Sequence, residues 1–530
     1  MGLLLWEKNA FAQNENVSTN SVLNYDHHLA IDNYYIRNPS EKFHSSFQPY
    51  LFFSQSNYKN SIAEPFFPEE RKTLATIKSL GKDSTISTTE IIPLAELQAG
   101  YDAFRKQTVL EKGGGVFFRQ KIGNRLTASA RLTGGEISLP TFSDTLVSTL
   151  RIIPGNGIAY GRNNNYQWAN LSGYISYTSK QYFNFQIGKD KHFIGDGYRS
   201  LLLSDVANNY PYFRSSINIW NIQYACWYSW MYDISQSNGI KSKFLNKFGT
   251  FHYLSWNISK TVNLSFFENI IWQGTDTNRV RNFDVNYLNP VIFFRPVEYS
   301  LGSSDNAFVG INFSWKIAKT LKFYLQAAAD EFYVKEIRKR SGWWANKQGI
   351  QAGLKYINAF TIKNLSLQGE FNTVRPYTYS HGSPQQSYAH FNQPLAHPFG
   401  ANFYEGIGII NYRKRKWRAQ LKGMYAIIGK DSAASQVSMG QNVLLSYMNR
   451  PKLSNGNPQD YHHFIGQGVK TEILQLDASV HYYLIPKINL RAEAGIIFTH
   501  LKNANGFNHQ YPFIYFGIRS SMHNIYRDIF

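Results

Sequence analysis

The chain predicts an all-β fold, a closed antiparallel transmembrane β-barrel of about 18 strands behind a short N-terminal periplasmic segment with a small helix. Three observations carry this. From Leu474 to Phe498 apolar and polar residues alternate, interrupted only at Pro486-Lys487. Leu474, Leu476, Ala478, Val480, Tyr482 and Leu484 share one face, with Gln475, Asp477, Ser479 and His481 on the other. Hydrophobic residues make up 43% of the 530 residues at a mean hydropathy of -0.37. No apolar run reaches about 18 residues, so a helical membrane protein is excluded. Aromatic residues reach 16%, with 36 Tyr, 38 Phe and 11 Trp, which suits rings placed at two membrane interfaces. An extended chain crosses lipid only if every peptide N–H and C=O is paired, hence the closed ring.

Tight turns punctuate the alternation at Gly123-Asn124, Ser179-Lys180, Ser259-Lys260, Ala318-Lys319 and Pro486-Lys487. Such short connections mark the periplasmic end, and the long ones between them the extracellular end. Parity places strands near 96–106, 116–122, 125–133, 166–178, 181–189, 213–219, 222–232, 248–258 and 261–273. It continues near 306–317, 321–333, 347–357, 364–373, 402–412, 416–428, 469–484, 488–500 and 511–530. Gly113-Gly114-Gly115 reads as a surface turn. An even number of strands returns both termini to the periplasm.

Three parts follow. Residues 1–12 read as the remnant of an export signal, with Leu3-Leu4-Leu5-Trp6 as apolar core and Ala10-Phe11-Ala12 as cleavage site. Residues 13–95 lack alternation and read as a periplasmic plug or docking segment. Its helix starts at Pro68-Glu69-Glu70, places Leu74, Ile77 and Leu80 on one face, and stops at Gly81. Residues 96–530 form the barrel, and Ile518, Met522, Tyr526 and Phe530 end the last strand like the assembly signal of outer-membrane barrels.

Lys and Arg number 55 against 35 Asp and Glu, a formal charge of +20 with pI near 9.6. The excess is spread over loops and lumen rather than gathered on a helix or tail, so nucleic acid is not an expected partner. Arg131, Lys316, Lys322, Arg418, Lys422, Arg491 and Arg519 fall on the lumen parity, facing Asp330, Glu370, Asp477 and Glu493. Inward placement follows from the cost of charge in lipid. It is compatible with a salt-bridged lining and with an anion-selective lumen. Cys226 stands alone, so there is no intramolecular disulfide, and it reads as a small apolar filler.

Catalysis finds little support, for Gly-x-Ser-x-Gly, phosphate-cradling and dinucleotide motifs are missing from the sequence, which leaves only a site assembled from distant strands. The histidines between 374 and 400 (His381, His390, His397) lack accompanying Cys or an HExxH pattern, so neither a metal nor a cofactor is expected. Trp343-Trp344 after Arg338-Lys339-Arg340 suits a headgroup-level anchor or a stacking surface for sugars.

The most specific segment is GKDKHFIGDGYRSLLLSDVANNYPYF, from Gly188 to Phe213. Gly195 and Gly197 permit tight backbone turns around Asp196, and Lys189, Lys191, His192, Tyr198 and Arg199 gather cations and rings. Acidic sugars are held by such sets, with rings on pyranose faces and Arg or Lys on carboxylates. The same loop could instead be packed for structure in the barrel mouth. Gly188, Phe193, Gly195 to Gly197, Ser200 to Ser204 and Ala207 resemble the pattern of the Wzi-type capsule-assembly outer-membrane barrels. Trp256 to Lys260, Phe267 to Asn269 and Phe516 to Phe530 look most similar to the gliding-motility RemB-like proteins within that group. Phe193, Ile194 and Asp196 depart from the capsule-type pattern, which has tryptophans and a proline there.

The resemblance implies an integral barrel of the Gram-negative outer membrane, without enzymatic activity. It would bind or help assemble and attach surface polysaccharide, serving adhesion and gliding. Lys189, Lys191, His192, Asp196, Tyr198 and Arg199 are then the expected polysaccharide-binding residues. Expected partners are outer-membrane lipid and lipopolysaccharide, an acidic surface polysaccharide, the barrel-assembly machinery, and motility or secretion proteins. The rival readings are an anion-preferring diffusion porin and a structural component of a secretion or motility machine.

Overall fold

The computed structural model describes residues 19–21, 23–39, 43–52, 77–78, 87–123, 125–179, 182–276, 279–280, 283–291, 305–432, 436–520, 523–524 and 526–529. Eighteen antiparallel strands among them close one barrel. They are β1 (Ser87–Asp102), β2 (Gln107–Ile122), β3 (Leu126–Ile137), β4 (Asn165–Ser179), β5 (Phe183–Asp190) and β6 (Tyr210–Ile219). Next come β7 (Ile222–Asp233), β8 (Leu245–Asn257), β9 (Val262–Gln273), β10 (Asn306–Ala318), β11 (Leu321–Ala329) and β12 (Gln348–Ile357). The last six are β13 (Leu365–Val374), β14 (Phe403–Lys414), β15 (Trp417–Lys430), β16 (Val469–Ile485), β17 (Leu490–Asn503) and β18 (Asn508–Arg519). Consecutive strands are neighbours, and β18 closes on β1 from Phe513 opposite Asp102 to Arg519 opposite Glu96. No barrel strand is therefore left with an open edge.

Period-2 alternation decides which face meets lipid. In β16 Leu476 and Val480 are 46% and 45% exposed, while Gln475, Asp477, Ser479 and His481 are buried toward the lumen. In β4 Leu171 and Ile175 face out, against Ser172, Tyr174 and Ser176 inside. An apolar outer belt on a closed barrel makes the chain an integral outer-membrane protein.

Several boundaries differ from the sequence reading, each for a local reason. The first strand starts at Ser87, inside the segment assigned to 13–95. Gly113-Gly114-Gly115 is no surface turn. It lies in mid-β2 opposite Leu94, Ala95 and Glu96, where the lack of side chains lets backbones approach. The strand expected near 321–333 stops at Ala329, leaving Phe332 and Tyr333 in the connection to β12.

The last strand ends at Arg519 rather than continuing to the terminus; Ser520 N still donates to Ala95 O of β1, and beyond it Asn524 and Arg527 meet groups inside the barrel. Tyr526 thus stands in no strand, and Met522 and Phe530 lie outside the described residues. So do residues 1–12. Most of the helix expected at 68–81 does as well, but Ile77–Lys78 within it pair as a short strand with Thr88-Thr89 of β1. The described N-terminal helix is α1 (Tyr25–Arg37), where Asn24 caps the start by accepting from the Asp26 and His27 amides.

Two further helices lie in extracellular connections, α2 (Thr141–Leu150) after β3 and α3 (Val334–Lys339) after β11. The connection from β9 to β10 is different. Its described residues 283–291 run down the outside of β7, β8 and β9, where Tyr287 is buried against Phe248, Ile270 and Trp272. Wall hydroxyls meet its carbonyls: Tyr228 donates to Leu288 O at 2.7 Å and Tyr224 to Pro290 O at 2.6 Å. Beneath this strap Cys226, Thr250, His252 and Glu268 are all buried on the outer face.

Candidate functional site

The lumen wall is charged, and three segments of the same chain carry charges of their own into it. From the periplasmic end comes the N-terminal segment. Asp26 of α1 pairs with Arg418 of β15 at 2.6 Å, and Asp32 lies 2.7 Å from both Lys322 of β11 and Lys355 of β12. Burial raises the Asp32 carboxyl, but the two ammonium groups outweigh it and hold the group below the usual carboxylate range. Tyr25 donates to Gln368 of β13 at 2.6 Å, and His44 meets Ser255 of β8 at 2.8 Å.

From the extracellular end the 191–209 connection folds inward, between β5 and β6. Asp196 receives Lys322 at 2.7 Å and the Ser45 hydroxyl at 2.6 Å, so one lysine of the wall joins this loop to the N-terminal segment. Gly195 has φ +147°, and a Cβ on Gly197 would lie 2.5 Å from Glu370 Oε2. Only glycine lets this backbone press against the wall. Glu370 accepts the amides of Tyr198 at 2.7 Å and Arg199 at 3.1 Å. Leu201, Leu202 and Leu203 are fully buried in the main apolar cluster with Trp227, Phe251 and Tyr379.

The third segment is the C-terminal tail after β18. Asp528 lies 3.2 Å from Arg199 and 2.8 Å from Lys422 of β15, and accepts the Tyr198 hydroxyl at 2.8 Å. Burial pushes its carboxyl up, and Arg199 and Lys422 pull it further down. Tyr526 and Asn524 donate to Asp205 at 2.6 and 2.8 Å, Asn524 also accepts the Tyr25 amide at 2.6 Å, and Arg527 reaches Glu493 at 2.9 Å. The tail thus ties the extracellular loop to the N-terminal helix.

The six residues expected to hold polysaccharide separate in this arrangement. Lys191, His192, Asp196, Tyr198 and Arg199 come together, but inside, each less than a tenth exposed. Lys191 donates to Gly155 O at 2.5 Å and Asp205 O at 2.9 Å, and burial pushes its amine down to about 8 with Asp205 opposing. His192 stacks near Phe47 and Trp227. Arg199 also reaches Glu405 at 3.3 Å, whose other oxygen lies 2.7 Å from His397 Nε2. Apart from His192 Nε2, which is buried without a partner among the described residues, these polar atoms are committed to the protein itself, and burial keeps all five from the surface. Lys189 alone is exposed, on the outer face of β5 near its extracellular end.

The seven basic residues assigned to the lumen lie on the inward face. Arg519 pairs with Glu111, with Glu493 at 3.3 Å and Glu96 at 3.8 Å, and Arg491 reaches Glu493 at 3.3 Å. Lys322, Arg418 and Lys422 hold the plug carboxylates already described. Arg131 borders a small cavity with Ser172, Tyr174 and Asp190, and Lys316 sits opposite Lys322 in the β10–β11 register. The partners that sequence reasoning missed are Asp32, Ser45, Glu405 and Asp528. Asp528 was readable in part, since Arg527-Asp528 breaks the alternation expected of a terminal strand.

No protein-family model matches the chain, and no curated protein does. Among solved structures it is similar to Wzi, an outer-membrane protein involved in group 1 capsule assembly in Escherichia coli and described as a carbohydrate-binding β-barrel. That likeness has a TM-score of 0.54 at 13% identity and covers 95% of this chain and 99% of that one. Pseudomonas aeruginosa OpdK with vanillate gives a TM-score of 0.44 at 8% identity, over 82% of this chain and 98% of that one. Acinetobacter baumannii OccAB3 gives 0.43 at 11% identity, over 82% and 98%.

Proposed function

We propose that this barrel is a surface platform that binds polysaccharide and helps assemble or attach it outside the cell, with adhesion and gliding as the processes served. The observation that carries the reading is the filled lumen. Asp32, Asp196 and Lys322 lock an N-terminal and an extracellular segment together across the interior, and Asp528 adds the tail. A barrel closed in this way presents its loops rigidly, and among the described residues the three segments occupy the interior. The likeness to Wzi, itself described as carbohydrate-binding, spans 95% of the chain and supports the reading. The formal charge of +20 suits an acidic glycan.

Within this reading the five buried residues of the 191–209 loop act as a frame, and Lys189 is the member of the original set that can meet a sugar acid directly. Two measurements test it. Purified protein in planar bilayers gives no steady large current, and a glycan array shows retention of acidic polysaccharides that falls when Lys189→Ala is combined with salt. Steady large conductance with no glycan retention favours the anion-preferring porin instead. A role as a structural part of a motility or secretion machine requires that partners co-purify through residues 19–52 and are lost when that segment is deleted.

A further inference from the structure

The connection from β11 to β12 carries a feature the polysaccharide reading does not use. Helix α3 buries only Glu336, while Phe332, Tyr333, Val334 and Ile337 are between 37% and 51% exposed. A six-residue helix with no apolar face packed on protein is not stabilised by its own fold. It is nevertheless held in place. Trp344 N donates to Asp460 O at 2.9 Å, His462 N to Ser341 O at 3.0 Å and His463 N to Gly342 O at 2.9 Å, so the connection after β15 clamps its C-terminal side. Arg450 anchors the clamp, 2.6 Å from Asp460 and 4.4 Å over the Trp344 ring.

Charge surrounds the apolar residues. Lys335, Arg338, Lys339 and Arg340 are all exposed, and among the described residues only Lys339 makes an ion pair, with Glu336 at 3.0 Å. The location follows from the strand below. The lipid-facing residues Leu321, Phe323, Leu325, Ala327 and Ala329 lead straight up β11. Eight steps at about 3.3 Å, tilted about 40°, rise roughly 20 Å, most of a lipid belt about 25 Å tall. Helix α3 therefore emerges at the outer boundary of the membrane, continuous with the apolar belt.

We infer that α3 and its flanks form a binding site for a phosphorylated, acylated glycolipid of the outer leaflet, of the lipopolysaccharide class. Val334, Ile337 and Phe332 cover acyl chains at the boundary, and Lys335, Arg338 and Arg340 meet the phosphates. The exposed aliphatic residues decide against a purely glycan ligand, because sugars stack on rings and gain nothing from Val or Ile. Unpaired guanidinium groups decide against a neutral lipid, since Arg matches phosphate through two parallel N–H donors. The site is independent of the polysaccharide proposal.

The test uses the full-length protein, folded and in mild detergent, with native mass spectrometry counting bound lipid. The probes are diphosphoryl lipid A, its dephosphorylated form, and alginate as an acidic polysaccharide. The wild type retains diphosphoryl lipid A in preference to the dephosphorylated form. Lys335→Gln with Arg338→Gln and Arg340→Gln loses that preference and lowers retention at least about tenfold, given roughly fivefold per cation at an anionic surface. Val334→Asn with Ile337→Asn lowers retention of both lipid forms. All five positions are exposed, and heat-modifiable migration verifies that each variant is a closed barrel. Wild-type retention by the triple variant overturns the site. Loss of alginate with lipid A retained also overturns it, and reassigns the cations to a glycan.

Discussion

Two long connections leave the extracellular rim of this barrel and travel in opposite directions. The 191–209 connection enters the lumen, and residues 283–291 of the one joining β9 to β10 descend the outer wall. Both are pinned by buried contacts, but of different chemistry. The inward loop brings Asp196 and Arg199 to a wall that offers Lys322, Glu370 and Glu405, and its polar contacts are ion pairs and charged hydrogen bonds. The outward strap brings Tyr287 to Phe248 and Trp272, and its backbone carbonyls accept from Tyr224, Tyr228 and Thr250. A loop settles where its polar atoms find partners. Strand parity makes the two sides of one wall offer different partners: charge inside, rings and hydroxyls outside.

Removing a charge from the inner set breaks the comparison most severely. Arg199 faces Glu405 and Asp528, with all three side chains essentially without solvent contact. Arg199→Ala leaves Glu405 with only His397 and Asn372 among the described residues, and Asp528 with Lys422 and the Tyr198 hydroxyl, so each buried carboxylate loses its guanidinium. The expected loss is about 3–5 kcal/mol, the range for stripping one partner from a buried pair. Chemical unfolding of the refolded barrel, followed by tryptophan fluorescence, reads it. An unchanged midpoint would mean that the inward loop is held by Leu201 to Leu203 and not by charge.

Strand parity was legible in the sequence and loop destination was not, for a physical reason. Lipid on one side imposes a period of two along every crossing, so the number of strands and the inward placement of residues such as Asp477 and Arg491 follow from alternation alone. A loop has no such periodic constraint. Cations, rings and glycines between Gly188 and Phe213 suit an acidic sugar and suit a charged wall equally, and only the strands opposite decide. Gly195-Asp196-Gly197 shares that ambiguity, since closely spaced glycines serve tight turns and close approach of backbones alike. The tail misled in another way. Ile518 is on the outer face of β18, and extending its spacing through Tyr526 continues a strand that Ser520 has already ended.

Acid provides the next sharpest contrast, because the inner contacts carry titrating groups and the strap's described contacts are mostly neutral. The plug carboxylates are not the sensitive elements. Asp32 and Asp528 are held below their ordinary range, so what they contribute is complete above about pH 4, the unfolded value, and lost only as pH falls below it. Buried imidazoles respond earlier. Burial pushes His44 down to about 3, and His192 well below its ordinary value, with Arg214 adding to the latter.

The sign is that of a base whose folded pKa is depressed. The undocked segment takes up a proton near pH 6.5 and the docked one does not, so docking is complete above that pH and weakens as pH falls. From pH 6.5 to 5 the two histidines together cost the docked state roughly 2–4 kcal/mol. Limited proteolysis of residues 19–52 and 191–209 should accelerate over that interval, and His44→Asn should flatten the response of the first segment. Equal cleavage rates at pH 7 and 5 would show that protonation is not linked to docking.

The smallest global effect belongs to the outer strap. Tyr287→Ala removes a ring buried against Trp272, Phe248 and Ile270, a local loss of about 3 kcal/mol by the measure of aromatic truncation. The barrel wall does not depend on it. Strands β7, β8 and β9 keep their ladders, from Tyr212 opposite Ser229 through Phe248 opposite Trp272. The midpoint of barrel unfolding should therefore move far less than for Arg199→Ala, while cleavage within 283–291 rises and Cys226 becomes reactive to a membrane-permeant maleimide. That thiol reports the strap alone, because it is on the outer face of β7 with its sulfur 3.4 Å from the Tyr228 hydroxyl, which in turn donates to Leu288 O. If the barrel instead unfolded as readily as the Arg199 variant, the outer contacts would be part of the wall's own stability, and the two connections would differ in direction without differing in role.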